Sequence, residues 1–402
     1  MSKSRPYDVV LYGASGFVGR QTVAYFAAHG GGLRWALAGR NRDKLEAARQ
    51  AAGPGAAHAG IVVADAADAR ALAALAGDTR VVLSTAGPFA LFGSALVAAC
   101  VAQRTHYVDI TGETPWVRGL IDRHHAQAAA DGTRIIPCCG FDSVPSDLGA
   151  AMLVQHFAAQ GEPCTGVKAA FSLRGGFNGG TLASALNMLD SGQADALADP
   201  WLLNPADTRP PAGPTDADPV APHRDADFKA WVGPFFMGPV NTRVVRRSAA
   251  LLDYGPGFHY QEYLRFGSGA AAALMAAGLS AGMGASQAAL KLAPVRALAR
   301  RLAPAPGEGP SEDSMNRGGF RCELVGFGAR GTVARARVAA SGDPGNRATT
   351  VMVCEAALAL ALDARALPGG KSGGGVLTPA SGLGVVLADR LRQAGMTLAL
   401  VA

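Results

Sequence analysis

From Tyr7 to about Phe157, short apolar runs alternate with stretches of helical periodicity. The apolar runs predict strands at Val9–Tyr12, Trp35–Ala38, Ile61–Ala64, Val81–Thr85, Tyr107–Ile110 and Arg134–Cys138. The stretches between them predict helices near Gly16–Ala28, Asp43–Ala51, Ala69–Leu75, Gly93–Gln103 and Trp116–Ala130. Continuous apolar strands that alternate with helices indicate a parallel sheet covered on both faces. The pattern therefore predicts a doubly wound α/β domain over residues 1–157.

After about residue 160 the pattern changes to longer strands with fewer helices between them. It predicts strands at Val167–Leu173, Thr242–Leu251 and Tyr260–Phe266, a helix at Thr181–Leu189, and a hairpin of Phe320–Val325 and Thr332–Val338. The proline- and aspartate-rich stretch Pro200–Pro222 is typical of a loop. We therefore expect an inserted α+β domain over 158–345, with a mixed or antiparallel sheet, for substrate binding and dimerisation. Helices at Thr349–Leu362 and Ser381–Gln393 are expected to bring residues 346–402 back to the first domain.

The first predicted strand runs into a glycine-rich turn, V-V-L-Y-G-A-S-G-F-V-G at Val9–Gly19. Gly13 permits a tight turn, Gly16 lets the backbone approach a pyrophosphate, and Gly19 lets the next helix pack on the strand. The helix N-terminus offers free N–H groups and partial positive charge to the phosphates. This context favours a Rossmann-type dinucleotide site over a turn without a ligand. The expected contacts are Gly13, Ala14, Ser15, Gly16, Phe17, Val18 and Gly19.

The end of the second predicted strand indicates which dinucleotide is bound. NAD enzymes usually carry an acid about 20 residues past the glycines, where it holds the ribose 2′-hydroxyl. This sequence has Arg40 and Asn41 there, and Arg40 can pair with a 2′-phosphate or stack on adenine. Lys44 could add charge from the next helix, and the alternative for Arg40 is a solvated loop residue. Asp65 could meet the adenine or cap a helix. The predicted cofactor is NADP(H).

The loops beyond the strand ends carry further candidates, because ligands of open α/β sheets lie outside the carboxyl ends of the strands. The loop after the fourth predicted strand has small residues that would let a cofactor pass close to the backbone: Thr85, Ala86, Gly87 and Pro88. Tyr107 is a candidate proton donor, and the alternative is a packed strand residue. His124 and His125 have no further ligand at metal-binding spacing, so no metal site is predicted.

The loop after the sixth predicted strand packs acids and serines into C-G-F-D-S-V-P-S-D at Cys139–Asp147. Asp142 or Ser143 could bind substrate or relay a proton. The alternative is that one of them caps the following helix, with Pro145 in its first turn. Asp142, Ser143 and Tyr107 are therefore the candidate catalytic residues.

Composition narrows the function classes. The chain has 402 residues, 49% hydrophobic and 17% charged, which excludes a mostly disordered protein. The net charge of +6 is mild for this length, and no basic block with interleaved aromatics occurs, so nucleic acid is not an expected partner. The six cysteines include no C-x-x-C pair, which indicates a reducing compartment. The N-terminus resembles no secretory signal, so a cytoplasmic location is predicted.

One long uncharged segment also raises the question of membrane contact. Phe266–Leu290 contains no charged residue, and Lys291, Arg296, Arg300 and Arg301 follow it. The length would span a bilayer, but alanine, glycine and serine dominate, so a buried or subunit-contact helix is favoured over an interfacial or transmembrane one. A homodimer, a peripheral membrane or lipid contact through 266–301, and shelter for an acyl chain are the expectations that follow.

Several blocks in order give the chain a family resemblance. They are G-A-S-G-F-V-G at Gly13–Gly19, W-A-L-A-G-R at Trp35–Arg40, T-A-G-P-F at Thr85–Phe89, Y-V-D-I-T-G-E at Tyr107–Glu113, C-G-F-D-S-V-P-S-D at Cys139–Asp147, P-G-E-G-P at Pro306–Pro310 and G-G-V-L-T-P-A at Gly374–Ala380. The chain resembles the saccharopine dehydrogenase-like oxidoreductases, and more closely their trans-acting enoyl reductase branch. The resemblance implies hydride transfer from NADPH to a hydrophobic, carrier-bound α,β-unsaturated acyl group in lipid or polyketide synthesis.

Two other functions stay open. A saccharopine-type amino-acid dehydrogenase would need an arginine-lined pocket for carboxylates. No such cluster is evident in the sequence, although Arg174, Arg243 and Arg246 could converge in the fold. A membrane-peripheral protein that keeps the nucleotide fold without a redox step is the other alternative.

Overall fold

The computed structural model describes residues 5–176, 179–190, 192–210, 213, 216–302 and 307–401, which form two seven-stranded sheets. The strands of the first, sheet A, are β1 (Tyr7–Tyr12), β2 (Trp35–Gly39), β3 (Gly60–Val63), β4 (Thr79–Ser84), β5 (His106–Asp109), β6 (Arg134–Ile136) and β13 (Gly375–Val376). Their order across the sheet is β13-β6-β5-β4-β1-β2-β3, and every pair is parallel. The predicted parallel sheet is confirmed.

Helices connect these strands and cover both faces of sheet A. They are α1 (Phe17–His29), α2 (Arg42–Ala51), α3 (Ala69–Gly77), α4 (Phe89–Phe92), α5 (Ser94–Ala102) and α6 (Thr114–Asp131). The next helix, α7 (Val144–Ala159), follows β6 and packs on the second sheet. Successive β1 residues point to opposite faces, so Val9 and Leu11 join one apolar core whereas Val10 and Tyr12 join another. Burial on both faces explains why the strands read as continuous apolar runs.

The second sheet, sheet B, is mixed, as predicted. Its strands are β7 (Cys164–Arg174), β8 (His223–Asp225), β9 (Ala230–Gly233), β10 (His259–Gly267), β11 (Gly319–Gly328), β12 (Val333–Ser341) and β14 (Thr397–Val401). The order is β14-β12-β11-β7-β10-β9-β8; β7 and β10 are parallel, and the other pairs are antiparallel. The predicted hairpin corresponds to β11 and β12.

The remaining helices lie around sheet B and at the C-terminus. They are α8 (Gly179–Asp190), α9 (Gly238–Leu252), α10 (Ala270–Leu290), α11 (Ala293–Leu302), α12 (Glu312–Asn316), α13 (Thr349–Leu362), α14 (Pro379–Gly382) and α15 (Gly384–Gln393). Helix α7 packs on β7, β11 and β12, whereas α13 packs on α1, β4 and β5. Because β13 joins sheet A and β14 joins sheet B, the C-terminal segment contacts both sheets. The predicted domain boundaries stay predictions.

The predicted strand Thr242–Leu251 is wrong, because these residues belong to helix α9. The expected alternation of sides does not occur, because Arg243, Arg246 and Arg247 have the i, i+3, i+4 spacing of one helix face. Arg243, Arg246 and Arg247 are 1%, 2% and 2% exposed, and they donate hydrogen bonds to main-chain carbonyl groups of the preceding loop. These arginines thus form a buried polar face of helix α9.

The C-terminal prediction also needs correction. Ser381–Gln393 is not one helix, because α14 ends at Gly382 and α15 begins at Gly384, whose φ of 53° lies in the left-handed region. The chain ends on strand β14 rather than on a helix. The short strands β8, β9 and β13 were also missed, because strands of two to four residues carry little periodicity.

Helix α10 covers part of the segment without charges, and most of its surface is exposed. Ala272 and Ala276 are buried on the side that packs against β9 and β10. On the outer side, Leu274, Met275 and Leu279 are 76%, 56% and 44% exposed. None of the helices in the described part of the chain is long and apolar enough to cross a membrane.

Candidate active site

The glycine loop after β1 forms a tight backbone cradle. Gly13 has a φ of 83°, and a Cβ there would lie 2.9 Å from the backbone nitrogen of Ala86. A Cβ on Gly19 would lie 2.1 Å from the Gly13 carbonyl oxygen. Gly16 occupies the N-cap position of α1, and no side chain caps the helix there. An uncapped helix N-terminus behind a loop that excludes side chains fits a diphosphate.

Some residues of this loop are buried in the domain core, and others are accessible from solvent. Ala14, Val18 and Gly19 are buried between α1 and the sheet. Gly13, Ser15, Gly16 and Phe17 are partly exposed, so they are the loop residues accessible to a cofactor.

Alanine at Gly19 is expected to separate α1 from the loop. The clash is with backbone, which cannot rotate away as a side chain can, and overpacking of this kind costs about 1–3 kcal/mol of unfolding free energy. NADPH affinity should fall as well, because the helix N-terminus moves. Urea unfolding and NADPH fluorescence titration measure the two effects. Gly31→Ala is the matched control, because nothing lies within 4 Å of a Cβ there. Wild-type stability and affinity in Gly19→Ala would contradict this packing.

The carboxyl ends of β2 and β3 meet on the other side of the glycine loop. Arg40 is exposed and has no hydrogen-bond or ion-pair partner within the described ranges. Arg40 and Asp65 both act electrostatically on the Tyr12 hydroxyl, whose pKa is raised to about 12 mainly by burial, so the two charged groups are neighbours. The arrangement offers an unpaired guanidinium to a 2′-phosphate.

The neighbouring candidates have local roles as well. Asn41 is exposed, and its Oδ1 caps α2 by accepting a hydrogen bond from Lys44 N at 2.9 Å. The Lys44 side chain is exposed. The Asp65 carboxylate accepts a hydrogen bond from Ala67 N at 2.9 Å, which closes the turn after β3. A second role toward the cofactor stays a prediction for each.

The loop Thr85–Pro88 lies directly against the glycine loop. Thr85 Oγ1 is 3.3 Å from the carbonyl oxygens of Tyr12 and Gly13, and the Gly87–Pro88 peptide bond is cis. Thr85, Ala86, Gly87 and Pro88 are all partly exposed. The structure thus brings together the two loops that the sequence proposed for the cofactor.

Glu113 fixes the next turn, and sequence reasoning did not assign it a role. Its fully buried carboxylate accepts hydrogen bonds from the backbone nitrogens of Phe89 and Ala90, at 2.8 and 2.9 Å. It also accepts one from Ser184 Oγ of α8 at 2.7 Å. Its position at the end of the block Tyr107–Glu113, directly after the fifth strand, was the sequence feature that could have identified it.

The polar block that starts α7 is held mostly by other parts of the chain. Ser143 Oγ donates to Asn241 Oδ1 at 3.3 Å, and Ser146 Oγ donates to Glu262 Oε2 at 2.8 Å. The carboxylate of Asp147 accepts from Ser248 Oγ and from Ala380 N. Ser143 occupies the N-cap position of α7 but makes no capping hydrogen bond.

Asp142 is the exception in this block. It is partly exposed, and it has no hydrogen-bond or ion-pair partner among the residues that the structure describes. Burial raises the pKa of its carboxyl group to about 7. A Cβ built on Gly112 would lie 3.6 Å from Asp142 Oδ2, 3.7 Å from Met237 Cε and 3.9 Å from Val240 Cγ2, so the three side chains border the same space. Asp142 is therefore a carboxyl group that borders the same space as two apolar side chains and can hold or release a proton near neutral pH.

Tyr107 lies in the core. Its ring is 0% exposed, and burial raises the pKa of its hydroxyl well above the ordinary value. The nearby Asp109 is also buried; its Oδ1 accepts hydrogen bonds from the backbone nitrogens of Thr111 and Cys138, and burial raises its pKa to about 7. Because no surface of Tyr107 is accessible from the cleft, the structure favours the packed-residue alternative.

A buried carboxyl group behind the site was missed entirely. Glu262 on β10 is 0% exposed, and burial raises its pKa to about 8. It accepts hydrogen bonds from Asn241 Nδ2 at 2.7 Å and from the hydroxyls of Ser146 and Tyr260 at 2.8 Å. A glutamate at an inward position of the predicted strand Tyr260–Phe266 was the signal that could have found it.

The arginines that could have served a polycarboxylate do not converge on the cleft. Arg243 pairs with Asp218 at 2.6 Å, and Arg246 donates to the carbonyl oxygens of Pro200 and Asp216. Both side chains are almost fully buried, whereas Arg174 is exposed at the end of β7. The guanidinium groups of Arg243 and Arg246 are therefore already engaged in hydrogen bonds that hold the loop before α9.

Comparison with known proteins places this geometry in context. Residues 9–136 match the family model of the saccharopine dehydrogenase NADP-binding domain. A trans-acting enoyl reductase of Mycobacterium tuberculosis (strain ATCC 25618 / H37Rv) is 38% identical, over 98% of this chain and 97% of its own length. The trans-acting enoyl reductase of Mycobacterium ulcerans (strain Agy99) is also 38% identical, over 99% and 98%. Rv2449c of the same M. tuberculosis strain, provisionally named a trans-acting enoyl reductase, is 42% identical over 98% and 97%.

A solved structure shares the fold. Apo saccharopine dehydrogenase (L-Glu forming) from Saccharomyces cerevisiae superposes with a TM-score of 0.54 at 15% identity. The match covers 98% of this chain and all of the yeast chain. At this identity the likeness concerns the arrangement of the two sheets alone.

Proposed function

This chain belongs to the trans-acting enoyl reductases, a branch of the saccharopine dehydrogenase-like NADP-binding oxidoreductases, and we propose that it reduces the carbon–carbon double bond of an enoyl thioester. The reaction adds a hydride and a proton across the double bond. NADPH supplies the hydride when it is bound. The protein must bind and orient both reactants, exclude water and deliver the proton.

The cofactor contacts follow from the two loops and the unpaired arginine. The uncapped N-terminus of α1 at Gly16 would hold the diphosphate, and Arg40 would hold the 2′-phosphate. The partly exposed backbone of Thr85–Pro88 would border the remaining half of the cofactor. These residues lie along one edge of sheet A, which is where open α/β sheets bind dinucleotides.

Asp142 carries the proposal, because a carboxyl group with a pKa near 7 and no partner among the described residues can donate a proton at neutral pH. It follows β6 in sequence and lies at the carboxyl edge of the sheet, beside the apolar side chains of Met237 and Val240. Asp142 would donate the proton that completes reduction of the double bond, and the apolar wall would exclude water. We assign Ser143 to support rather than to proton donation, because its hydroxyl is buried against Asn241.

The surroundings of Asp142 also favour a neutral acyl substrate. The acidic groups Asp109, Asp142 and Asp147 lie close enough together to act on the same thiol, that of Cys138. No free arginine cluster faces them in the described part of the chain, since Arg243 and Arg246 are engaged elsewhere. A substrate with several carboxylates would find no cation among the described residues there to pair with. This is the observation against the amino-acid dehydrogenase alternative.

Turnover separates the functions. Purified protein is expected to oxidise NADPH with trans-2-enoyl thioesters, with kcat/KM rising as the acyl chain lengthens, because more apolar surface is buried. The panel should include coenzyme A and carrier-protein thioesters, and saturated thioesters serve as the matched control. Amino-acid-dependent reduction of NADP+ without enoyl turnover would support the alternative. Nucleotide binding without turnover on either substrate class would contradict both redox functions.

The predicted lipid contact through 266–301 and the homodimer stay predictions. The contact would use the exposed Leu274, Met275 and Leu279, followed by the basic segment from Lys291 to Arg301. Flotation with phosphatidylglycerol vesicles is expected to recover the wild type and to lose a triple variant with serine at the three apolar positions. Equal flotation of both proteins would contradict it, and light scattering on the same samples reports the oligomer.

A further inference from the structure

Two helix starts meet behind the proposed proton donor. Ser143 occupies the N-cap position of α7, directly after Asp142, and Asn241 lies in the first turn of α9, directly after Val240. Ser143 Oγ donates to Asn241 Oδ1 at 3.3 Å. Each member of this contact thus adjoins, in sequence, a residue that borders the open side of Gly112.

The contact continues into sheet B. Asn241 Nδ2 donates to Glu262 Oε1 at 2.7 Å, and the hydroxyls of Ser146 and Tyr260 donate to Glu262 Oε2 at 2.8 Å. Because the Asn241 Nδ2 group donates to Glu262 Oε1, the amide oxygen of Asn241 is left facing the Ser143 hydroxyl. Ser143, Asn241 and Glu262, here called the buried junction, are all 0% exposed.

We propose that Asn241 and Glu262 are positioning residues: through Ser143 they hold the first turn of α7 against the first turn of α9, so that Asp142 stays against Met237 and Val240. The inference rests on the proposed function, because it assigns the junction to the group that donates the proton. The junction touches neither substrate nor cofactor.

The position of the buried junction allows its effect on Asp142 to be separated from a general effect on stability. A second polar contact joins the same two helices, where Ser248 Oγ donates to Asp147. That contact lies one turn farther along α7 and is also buried. Loss of either contact should lower stability, but only loss of the junction frees the turn that carries Asp142. The two contacts therefore form a matched pair for experiment.

Opening the junction would also change the acidity of Asp142. Its pKa is raised by burial alone, so water that enters beside it would lower the pKa toward the ordinary value of about 3.9. A titratable neighbour of Asp142 is Cys138, whose thiol is uncharged because burial raises its pKa. Asp109 and Asp147 lie near that thiol, and Glu262 lies behind Ser143. None of them is a cation that could lower the pKa of Asp142 in the intact site.

The test compares Asn241→Leu with Ser248→Ala in the full-length protein, with NADPH and an enoyl thioester. For Asn241→Leu we expect kcat to fall by up to about 100-fold, with NADPH affinity unchanged, because displacements of about 1 Å can cost that much. The fall of activity with rising pH should also begin at lower pH than in the wild type. Ser248→Ala should lose thermal stability but keep kcat and its pH profile.

Two further variants keep the test decisive. If Asn241→Leu does not fold, Ser143→Ala removes the same contact with a smaller change, and the same result is expected. Glu262→Gln should recover most of the activity that Glu262→Leu loses, because an amide oxygen still accepts from Asn241 while its NH2 meets hydroxyl oxygens that can rotate. Equal kcat losses in the Asn241 and Ser248 variants, or an unmoved pH profile, would overturn the inference.

Failure of the inference can be told apart from failure of the proposed function. If Asp142→Asn is inactive and Asn241→Leu behaves like Ser248→Ala, the junction is structural only, and the proton donor stands. If Asp142→Asn keeps full turnover, the proposed donor is wrong, whatever the junction variants do.

Discussion

Asp142→Asn is expected to lower kcat for enoyl thioester reduction by about 10²- to 10⁴-fold, the range that a positioned general acid contributes. Asparagine keeps the shape of the side chain but has no carboxyl proton to donate. Asp142 has no partner among the described residues, so the substitution breaks no known hydrogen bond or ion pair. NADPH affinity should change little. Single-turnover kinetics with saturating NADPH measure the effect directly.

The pH dependence gives an independent check of the same prediction. Burial raises the pKa of Asp142 to about 7, so the protonated form that can donate is abundant below pH 7 and is lost above it. Wild-type kcat should therefore fall as pH rises through about 7, and this limb should be absent from the residual activity of Asp142→Asn. Asp389→Asn, at an exposed residue of α15, is the matched control and should retain wild-type kinetics. A wild-type profile in Asp142→Asn would remove this residue from the mechanism.

Most of sheet A could be predicted because each of its strands has a recognisable pattern in the neighbouring sequence. Each strand is an apolar run followed by a turn and a helix, and burial on both faces makes the run continuous. Helix α9 was missed although Arg243, Arg246 and Arg247 have the spacing of one helix face, because three arginines were not expected to be buried. The carbonyl groups that accept their hydrogen bonds come from the loop 197–204. That pairing exists only in the folded chain.

The site was only partly accessible to sequence reasoning for the same physical reason. The block Cys139–Asp147 indicated where chemistry would lie but not which side chain would face the cleft. Ser143, Ser146 and Asp147 have partners 98, 116 and 101 residues away, on α9 and β10. Only when those elements have packed does Asp142 remain as the polar side chain of the block with no partner in the described part of the chain. Local helix-capping rules could not decide between catalysis and capping for Asp142 and Ser143, because they take no account of such distant partners.

The choice of nucleotide depends on a different kind of feature, an exposed charge that packing does not constrain. Arg40 follows the buried strand β2, has no partner within the described ranges and lies near Asp65. A side chain without structural contacts can be exchanged at little cost in stability, so its effect on binding can be measured without interference from folding.

Arg40→Asp is therefore expected to raise the Kd for NADPH by about 100-fold or more while leaving the melting temperature unchanged. A charge-assisted hydrogen bond contributes about 1.5–3 kcal/mol, roughly a 10- to 100-fold change in Kd, and the new carboxylate adds repulsion toward the 2′-phosphate. NADH affinity should hold or improve, because aspartate can accept a hydrogen bond from a free 2′-hydroxyl. Isothermal calorimetry with both nucleotides measures the change in preference.

The matched control for this substitution is Arg42→Asp, two residues along the chain. Arg42 is also exposed, but its guanidinium lies 3.6 Å from the Glu46 carboxylate, so it is already engaged. If the 2′-phosphate is held by a specific contact, Arg42→Asp should weaken NADPH binding far less than Arg40→Asp does. Equal losses in the two variants would mean that the general positive potential attracts the phosphate. Equal losses for NADPH and NADH in Arg40→Asp would place the guanidinium away from the 2′ position, because only that position distinguishes the two nucleotides.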